Sequence, residues 1–221
     1  VPFAQLVPRL QRVVRQTAAS LDKQAQLEVY GAEGELDRGI LDRMIGPLEH
    51  ILRNAVSHGI EQPQQRREAT KGEVGRIAMY LAREGNDVIL TVTDDGSGLN
   101  IDLIRQRAID KGLLDPHAEV PDSDILQFVL EHGFSTTDQV TQISGRGVGL
   151  DVVVKEVKQL GGSLDITSRP GQGTSFIVRL PLTLAISDAL LVELGEEIYA
   201  VPHTSIEGVV RVSRADRKSV V

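Results

Sequence analysis

The stretch HILRNAVSHGIE, residues 50–61, decides how the fold of this chain is interpreted. Around it, apolar side chains recur at the spacing of one helix face, at Leu48, Ile51, Leu52, Ala55 and Val56. His50, Asn54 and His58 recur every fourth residue and line up along a second face. The pattern predicts a helix over residues 36–58, with Asp37 as its N-cap and Gly59 as its stop. Its polar face fits either a nucleotide site or plain contact with solvent.

The composition is that of a folded globular chain with an aliphatic core. Of 221 residues, 41% are hydrophobic and 25% charged, which disfavours disorder, and only 3% are aromatic. The net charge of −7 argues against nucleic acid as a partner. The lack of Cys excludes a disulfide scaffold and a zinc–thiolate site, and it suits a reducing cytoplasm. Because no apolar run is long enough to cross a bilayer and the chain starts without Met, we expect a fragment of a longer cytoplasmic protein.

The order of periodic segments predicts an α+β fold in two parts. Helical spacing is found at residues 3–21, 36–58, 101–111, 124–130 and 150–160, with a short helix at 63–69 inside a polar connector. In the helix at 150–160, Val152, Val153, Val157 and Leu160 are expected to face inward. Alternating patterns predict strands near Leu27 and at residues 76–83, 87–93, 163–168 and 174–180. We therefore expect a two-layer α/β sandwich over residues 1–181, followed by a truncated β-module over residues 182–221.

Four polar clusters that contain glycine or asparagine are candidates for chemistry. They are HILRNAVSHGIE, TDDGSGLN at residues 93–100, GFST at 133–136 and SGRGVGLD at 144–151, with a weaker fifth, GQGTSF, at 171–176. Glycines let the backbone approach a ligand closely, and the helix expected after SGRGVGLD offers N-terminal amides to a phosphate. A dinucleotide fold is disfavoured because no strand leads directly into SGRGVGLD. The commonest ATP-binding fold is disfavoured because the Walker pattern is absent.

In this order the clusters resemble the N, G1, F and G2 boxes of the GHKL superfamily, which includes gyrase-type ATPases, Hsp90 chaperones, MutL-type proteins and histidine kinases. HILRNAVSHGIE, GFST and SGRGVGLDVV are most similar to the chemotaxis-type histidine kinases, the CheA class. PLTLAISDALLVEL, residues 181–194, resembles the junction into a CheW-like regulatory domain. The resemblance implies the Bergerat ATP-binding fold, with ATP and Mg²⁺ as ligands.

The resemblance also implies roles at the phosphate end of the site. Asn54 matches the residue that holds Mg²⁺ against the triphosphate. His50 matches the position of a gyrase-type general base, and here it is either a base or a group that positions the metal and the terminal phosphate; we favour positioning. His58 is expected beside the nucleotide. Around the phosphates, the resemblance places Ser144, Gly145, Arg146, Gly147, Val148, Gly149 and Leu150.

At the base end, Asp94 matches the carboxylate that accepts a hydrogen bond from the adenine amino group. Gly96 and Gly98 are expected to pass beneath the base, and Thr174 to make a polar contact near it. Asp95, the neighbour of Asp94, is interpreted as a solvated carboxylate of a turn. A lid over the nucleotide is expected from Phe134, Ser135 and Thr136, although Phe134 is also open to interpretation as a plain core residue.

As function, the resemblance implies transfer of the ATP γ-phosphoryl group to a histidine on a separate phosphotransfer domain, and onward to a response regulator. A CheW-like coupling protein and chemoreceptors are the further implied partners, and the full-length protein is expected to be a homodimer. The alternative is a nucleotide-gated docking module that binds ATP without turnover. A gyrase-like ATPase is disfavoured, since residue 50 is His and Glu49 points elsewhere on the helix.

Overall fold

A five-stranded mixed sheet is the framework of the computed structural model, which describes residues 1–134, 150–182, 189–194 and 197–202. The strands are β1 (Ala25–Tyr30), β2 (Gly75–Glu84), β3 (Asp87–Asp94), β4 (Ser163–Arg169) and β5 (Gly173–Pro181). Their spatial order is β1-β2-β3-β5-β4. β1 pairs with β2 in parallel, and the remaining neighbours are antiparallel.

Helices cover one face of this sheet. They are α1 (Val7–Ser20), α2 (Arg38–Asn54), α3 (Pro63–Glu68), α4 (Ile101–Asp110), α5 (Asp122–Gln127) and α6 (Leu150–Gln159), with 3₁₀ turns at Phe3–Gln5 and Phe128–Leu130. On the other face, Tyr30 and Tyr80 are 42% and 44% exposed, and their rings stack with centroids 5.0 Å apart. The α+β sandwich that the sequence predicts is confirmed.

The core between the two layers is aliphatic, as the composition predicts. Along β3, Val88, Leu90 and Val92 are buried and point toward the helices, because side chains alternate between the two faces of a strand. Across from them, α2 buries a stripe that includes Leu48 and Ile51. α2 also packs against α1 and α6, so it is the central helix of its layer.

The central helix begins as predicted but ends differently. The carboxylate of Asp37 accepts hydrogen bonds from the N–H groups of Gly39 and Ile40, at 2.8 and 3.2 Å, and so caps α2. The α-helix ends at Asn54 and continues as a π-helical turn over Ala55–Gly59. In that turn the N–H of Ile60 donates to the carbonyl of Ala55, five residues back, at 2.8 Å. The α-helical spacing used for the prediction therefore applies from His50 to Asn54 but not on to His58.

The expectation that Val152 faces inward is wrong. Val152 is 42% exposed, whereas Val153, Val157 and Leu160 are at most 2% exposed. Residues 153, 157 and 160 follow the spacing of a single helix face, and residue 152 lies about 100° away from that face. The buried stripe of α6 is therefore narrower than the run of valines.

A second compact unit, Ala185–Val221, is distinct from the first, Val1–Leu184. Its described part is an antiparallel pair of strands, β6 (Ala189–Leu194) and β7 (Glu197–Pro202). These two strands fall within the β-module expected over residues 182–221, most of which lies outside the described residues. Among the helices of the described chain, none is both long and apolar enough to cross a membrane.

The cap of α2 is open to a direct test. We expect Asp37→Ala to lower the free energy of unfolding by about 1 kcal/mol, because two amide donors lose their acceptor. Asp42→Ala is the matched control: Asp42 lies on the same helix, and among the described residues its ion pair is an exposed one with Arg38 at 3.9 Å, so its loss should cost about 0.5 kcal/mol or less. Urea denaturation of both variants gives the comparison, and equal losses would contradict the capping role.

Candidate functional site

A buried carboxylate ends the core strand β3. Val88, Leu90 and Val92 alternate inward, and Asp94 follows in the same alternation, with Ile77 of β2 as its cross-strand partner. Asp94 is only 3% exposed. An acid at a position that continues an apolar face is costly to the fold unless hydrogen-bond partners compensate for its burial.

The partners of Asp94 are backbone amides. Its Oδ1 accepts a hydrogen bond from the N–H of Gly96 at 2.9 Å, and the N–H of Thr174 donates to the same carboxylate. Burial raises the pKa of Asp94 from its ordinary 3.8 to about 6, while the two amide donors act in the opposite direction. At neutral pH the group is therefore a mostly ionised acceptor in a water-poor site.

The turn after Asp94 packs against the end of the π-helical turn. The N–H of Ser97 donates to the carbonyl of Gly59 at 2.9 Å. A Cβ at Gly96 would lie 2.1 Å from that same carbonyl oxygen, and one at Gly59 would lie 3.0 Å from the Asp94 carboxylate. These glycines are needed so that backbone and carboxylate can approach one another, a requirement that exists before any ligand is considered.

On the helix side, His50 and Asn54 are half-buried and His58 is exposed on the π-helical turn. Burial lowers the pKa of His50, and the nearby Arg53 acts in the same direction. Asp151, in the first turn of α6, opposes this shift only in part. His50 is thus a neutral imidazole at physiological pH, able to accept a proton or a hydrogen bond. Just beyond, the Lys23 ammonium donates to the carbonyls of Val56 and Ser57, at 2.9 and 2.7 Å, and caps this end of the helix.

The gyrase-like alternative needs a carboxylate on the polar face of α2. Glu49 instead accepts from Arg9 at 2.7 Å and from Arg53 at 3.4 Å, and its side chain is 13% exposed. Its oxygens are engaged by two guanidinium groups, as expected for a residue that points away from the candidate site.

Other predicted site residues have packing roles in the described chain. Phe134 is 7% exposed and stacks on Phe128 with centroids 6.4 Å apart, which fits its interpretation as a core residue as well as a lid residue. Thr174 is 6% exposed, and its hydroxyl lies 3.0 Å from that of Ser168. At Gly98, with φ +71°, a Cβ would lie 2.3 Å from the carbonyl oxygen of Arg169. Leu150, the first residue of α6, is half-buried.

The predicted phosphate loop and most of the lid lie outside the described residues. They are Ser135, Thr136, Ser144, Gly145, Arg146, Gly147, Val148 and Gly149.

Residues 45–184 match the family described as histidine kinase-, DNA gyrase B-, and HSP90-like ATPase. This range contains the C-terminal part of α2 with His50 and Asn54, the Asp94 turn and α6, which are the elements of the candidate site. The chain belongs to this ATPase family. Members bind ATP, so the buried acceptor at Asp94 and the polar face of α2 belong to an ATP-binding domain.

Among relatives of this ATPase domain are chemotaxis proteins. It is 41% identical over 223 residues to the chemotaxis protein CheA of Bacillus subtilis, covering 100% of this chain and 33% of that protein. It is 42% identical over 214 residues to CheA of Halobacterium salinarum, covering 96% of this chain and 32% of the relative. The sensor histidine kinase CheAY of Helicobacter pylori is 38% identical over 227 residues, with coverage of 100% and 28%. The chain spans about a third of these proteins, and it is a histidine kinase-type domain homologous to a segment of CheA.

A solved structure supports the same fold. The catalytic domain of histidine kinase ThkA in a nucleotide-free form superposes with a TM-score of 0.51, at 19% identity, covering 83% of this chain and 94% of the other. At this identity the likeness concerns the fold alone. It agrees with the Bergerat fold expected from the sequence.

A cluster of charged side chains contacts the Asp94 turn of the ATPase domain, and no motif in the sequence indicates it. Asp95, expected to be a solvated turn carboxylate, has a side chain that is 44% exposed but is also paired: its Oδ2 accepts from the buried Arg66 at 2.9 Å and its Oδ1 from the N–H of Arg76 at 2.9 Å. Glu61 and Lys71 complete the cluster. No local spacing could have indicated these pairs, since Arg66 and Asp95 are 29 residues apart.

No resident metal cage is found in the described part of the ATPase domain, where no group of three or more His, Cys, Asp or Glu side chains could hold a metal ion. Asn54 offers one amide oxygen. That donor fits a hard cation held mostly by phosphate oxygens and water, as Mg²⁺ is in nucleotide sites.

We expect substitutions at the two neighbouring carboxylates, Asp94 and Asp95, to change stability in opposite directions. Because the folded state holds the Asp94 proton more tightly than the unfolded state, stability falls as pH rises from 3.8 to about 6 and stays lowered above that range. The rise in pKa corresponds to about 3 kcal/mol at most. We expect Asp94→Asn to raise the free energy of unfolding at pH 7.5 by up to that amount. The gain should appear as a higher urea midpoint and vanish below pH 4.

Asp95→Asn is the matched control, since it removes a carboxylate that pairs with Arg66. It should lower the urea midpoint at pH 7.5. A loss of stability in the Asp94→Asn variant that is the same at pH 4 and pH 7.5 would contradict the burial cost assigned to Asp94.

Proposed function

We propose that this domain is the catalytic core of a cytoplasmic, chemotaxis-type histidine kinase: it binds ATP with Mg²⁺ and transfers the γ-phosphoryl group to a histidine of a separate phosphotransfer domain. The observation that carries the proposal is the buried Asp94 carboxylate at the end of β3, 3% exposed and supported by backbone amides. The identity of about 40% to segments of CheA proteins, over nearly the whole of this chain, supports the choice of reaction.

Asp94 is suited to select adenine. An ionised carboxylate accepts a hydrogen bond from the 6-amino group of adenine, whereas guanine has a carbonyl oxygen at that position and would be repelled. A buried polar group without its partner is costly, so a site built around such an acceptor discriminates strongly between the two bases. Gly59, Gly96 and Gly98 let the protein's own backbone pack closely around this carboxylate, because a Cβ at each would meet neighbouring protein atoms.

At the phosphate end, Asn54 is the residue that would hold Mg²⁺ through its amide oxygen, together with phosphate oxygens and water. When bound, the ion supplies positive charge that stabilises the transferring phosphoryl group. His50 lies one helical turn before Asn54 on the same face of α2. As a neutral imidazole it is suited to positioning the metal's water or the terminal phosphate. The histidine acceptor is itself a good nucleophile, which favours positioning over a general-base role for His50.

The partners follow from the relatives and are part of the proposal. They are a histidine-containing phosphotransfer domain, a response regulator, a CheW-like coupling protein and chemoreceptors, with a homodimeric full-length protein. The division of the chain after Leu184 supports a separate module beginning near residue 182, and the resemblance of residues 181–194 to the CheW-like junction suggests its identity.

The reaction is tested by supplying the acceptor in trans. The chain, ATP labelled at the γ-phosphate and the phosphotransfer domain of Bacillus subtilis CheA are mixed with Mg²⁺, and label on the acceptor histidine is measured. Asn54→Ala, which removes the amide oxygen proposed to hold Mg²⁺, and Asp94→Ala, which removes the buried acceptor for the base, should each weaken calorimetric ATP binding by at least about tenfold. Asp165→Ala, which removes an exposed carboxylate on β4, is the control and should bind ATP normally.

The two readouts separate the competing functions. ATP binding without transfer of label would favour the nucleotide-gated docking module over the kinase. Unchanged ATP affinity in both site variants would refute the assignment of the site.

The role of His50 is tested by an amide substitution. If His50 positions a group through a hydrogen bond, His50→Gln keeps phosphoryl transfer within about tenfold of the wild type, whereas loss of a general base costs about 10²–10⁴-fold. His117→Gln, at an exposed loop residue, is the control. A loss larger than about 10²-fold in the single-turnover rate, with ATP affinity retained, would assign His50 as the base.

A further inference from the structure

The polar connector between the π-helical turn and β2 contains a fully buried arginine. Arg66, in α3, has a side chain that is only 1% exposed. Its neighbour Arg67 is 59% exposed and pairs with Glu73 at the surface. A buried guanidinium must find partners for its donors, so the groups around Arg66 indicate what it is there to hold.

The donors of Arg66 are directed at the Asp95 turn and at the connector itself. Its Nε donates to the carbonyl of Gly72 at 2.7 Å. Nη1 donates to Glu61 at 2.9 Å and to the carbonyl of Asp95 at 3.3 Å, and Nη2 donates to the Asp95 carboxylate at 2.9 Å. One planar group thus binds both the main chain and the side chain of Asp95.

Lys71 binds the same turn from the other end of the connector. Its ammonium donates to the carbonyls of Asp95 and Gly96, at 2.9 and 2.7 Å, and to Glu61 at 2.6 Å. All three of its donors are therefore occupied. Glu61 is the shared anion, with one oxygen on Lys71 and the other on Arg66. We call these three residues together with Asp95 the charge clamp.

The charge clamp contributes more to fixing the position of the Asp95–Gly96 backbone than to the net stability of the fold. It contains two cations and two anions, and buried ion pairs contribute little net stability compared with apolar packing. The clamp does fix the position of the turn, because Arg66 and Lys71 together donate three hydrogen bonds to the carbonyls of two consecutive residues, Asp95 and Gly96. The position of the Gly96 peptide is thus set from behind by charged donors.

That peptide is adjacent to the group that would recognise the base. The N–H of Gly96 donates to Asp94 at 2.9 Å, and the N–H of Ser97 donates to Gly59 at 2.9 Å. If the turn moved, the donor that orients the Asp94 carboxylate would move with it. We propose that Arg66 and Lys71 are positioning residues for purine recognition, holding the Asp95–Gly96 backbone so that the Asp94 carboxylate is set for the 6-amino group of the base.

The clamp also joins the two ends of the site. Glu61 lies two residues after the π-helical turn that extends α2, the helix of His50 and Asn54. Through Glu61, both cations connect that helix to the turn behind Asp94. This inference rests on the proposed function for its ligand, while the clamping of the turn itself does not depend on ATP.

The test uses Lys71→Met, with Arg67→Met as the matched control. Both substitutions remove one positive charge from the same connector, but only Lys71 contacts the turn. Hydrogen exchange of the Gly96 and Ser97 amides reports on the turn without any ligand. Calorimetry with ATP and with inosine triphosphate, which has a carbonyl oxygen in place of the 6-amino group, reports on recognition at that position.

We expect Lys71→Met to speed exchange of both amides and to reduce the preference for ATP over inosine triphosphate by about tenfold, the effect of one misplaced hydrogen bond. Arg67→Met should change neither quantity. Lower thermal stability of Lys71→Met with unchanged exchange and unchanged nucleotide preference would overturn the proposal, because the lysine would then be structural only.

A second variant and the ligand-free readout keep the outcome decisive. Arg66→Met removes the other cation and should shift nucleotide preference in the same direction. Because it leaves the Asp95 carboxylate without its cation and Glu61 with Lys71 alone, its folding is checked first by circular dichroism. If the wild type binds neither nucleotide, the proposed function fails. In that event, faster exchange in Lys71→Met but not in Arg67→Met still supports the clamp, and equal exchange overturns it.

Discussion

The burial of the Asp94 carboxylate at the end of a core strand is the constraint on which the rest of the site depends. β3 places Leu90, Val92 and then an acid on the face that packs against the helices. Burial raises the pKa of that acid to about 6, so the fold bears a cost for it at neutral pH. The amides of Gly96 and Thr174 reduce the cost only in part. Such a group is expected where a ligand supplies the missing donor, since strongly perturbed acids concentrate at functional sites.

The sequence predicts most of the fold because most of its elements are encoded locally. α2 follows from a stripe of apolar residues and the Asp37 cap, and β2 and β3 follow from alternation on either side of a short turn. The π-helical turn at Ala55–Gly59 was missed, because a switch from i→i+4 to i→i+5 bonding leaves no mark in residue spacing. Val152 was misassigned because a run of valines does not specify which members face the core.

For the site, the sequence identifies groups within motifs but not the contacts between them. The order of the glycine-bearing clusters points to Asn54 and Asp94, and the family match covers both. Arg66 gives no such signal: in the sequence it is one basic residue in a polar connector, and its partner Asp95 lies 29 residues away. Only the pairing of strands brings the connector behind the Asp94 turn. Charged residues outside motifs are therefore where structure adds most to the functional interpretation.

The charge clamp also bears on how an acidic domain could bind a triphosphate. The net charge is −7, and the two cations nearest the Asp94 turn, Arg66 and Lys71, are already directed at carboxylates and carbonyls. At α6, Asp151 accepts from the N–H of Val152 at 2.9 Å and pairs with His132 at 2.7 Å, so a carboxylate already occupies part of that helix N-terminus. Among the described residues, these cations and this helix end therefore contact the protein's own carboxylates and carbonyls. Under the proposed function, a divalent cation held at Asn54 would supply near the γ-phosphate the positive charge that Arg66 and Lys71 direct at the Asp95–Gly96 turn.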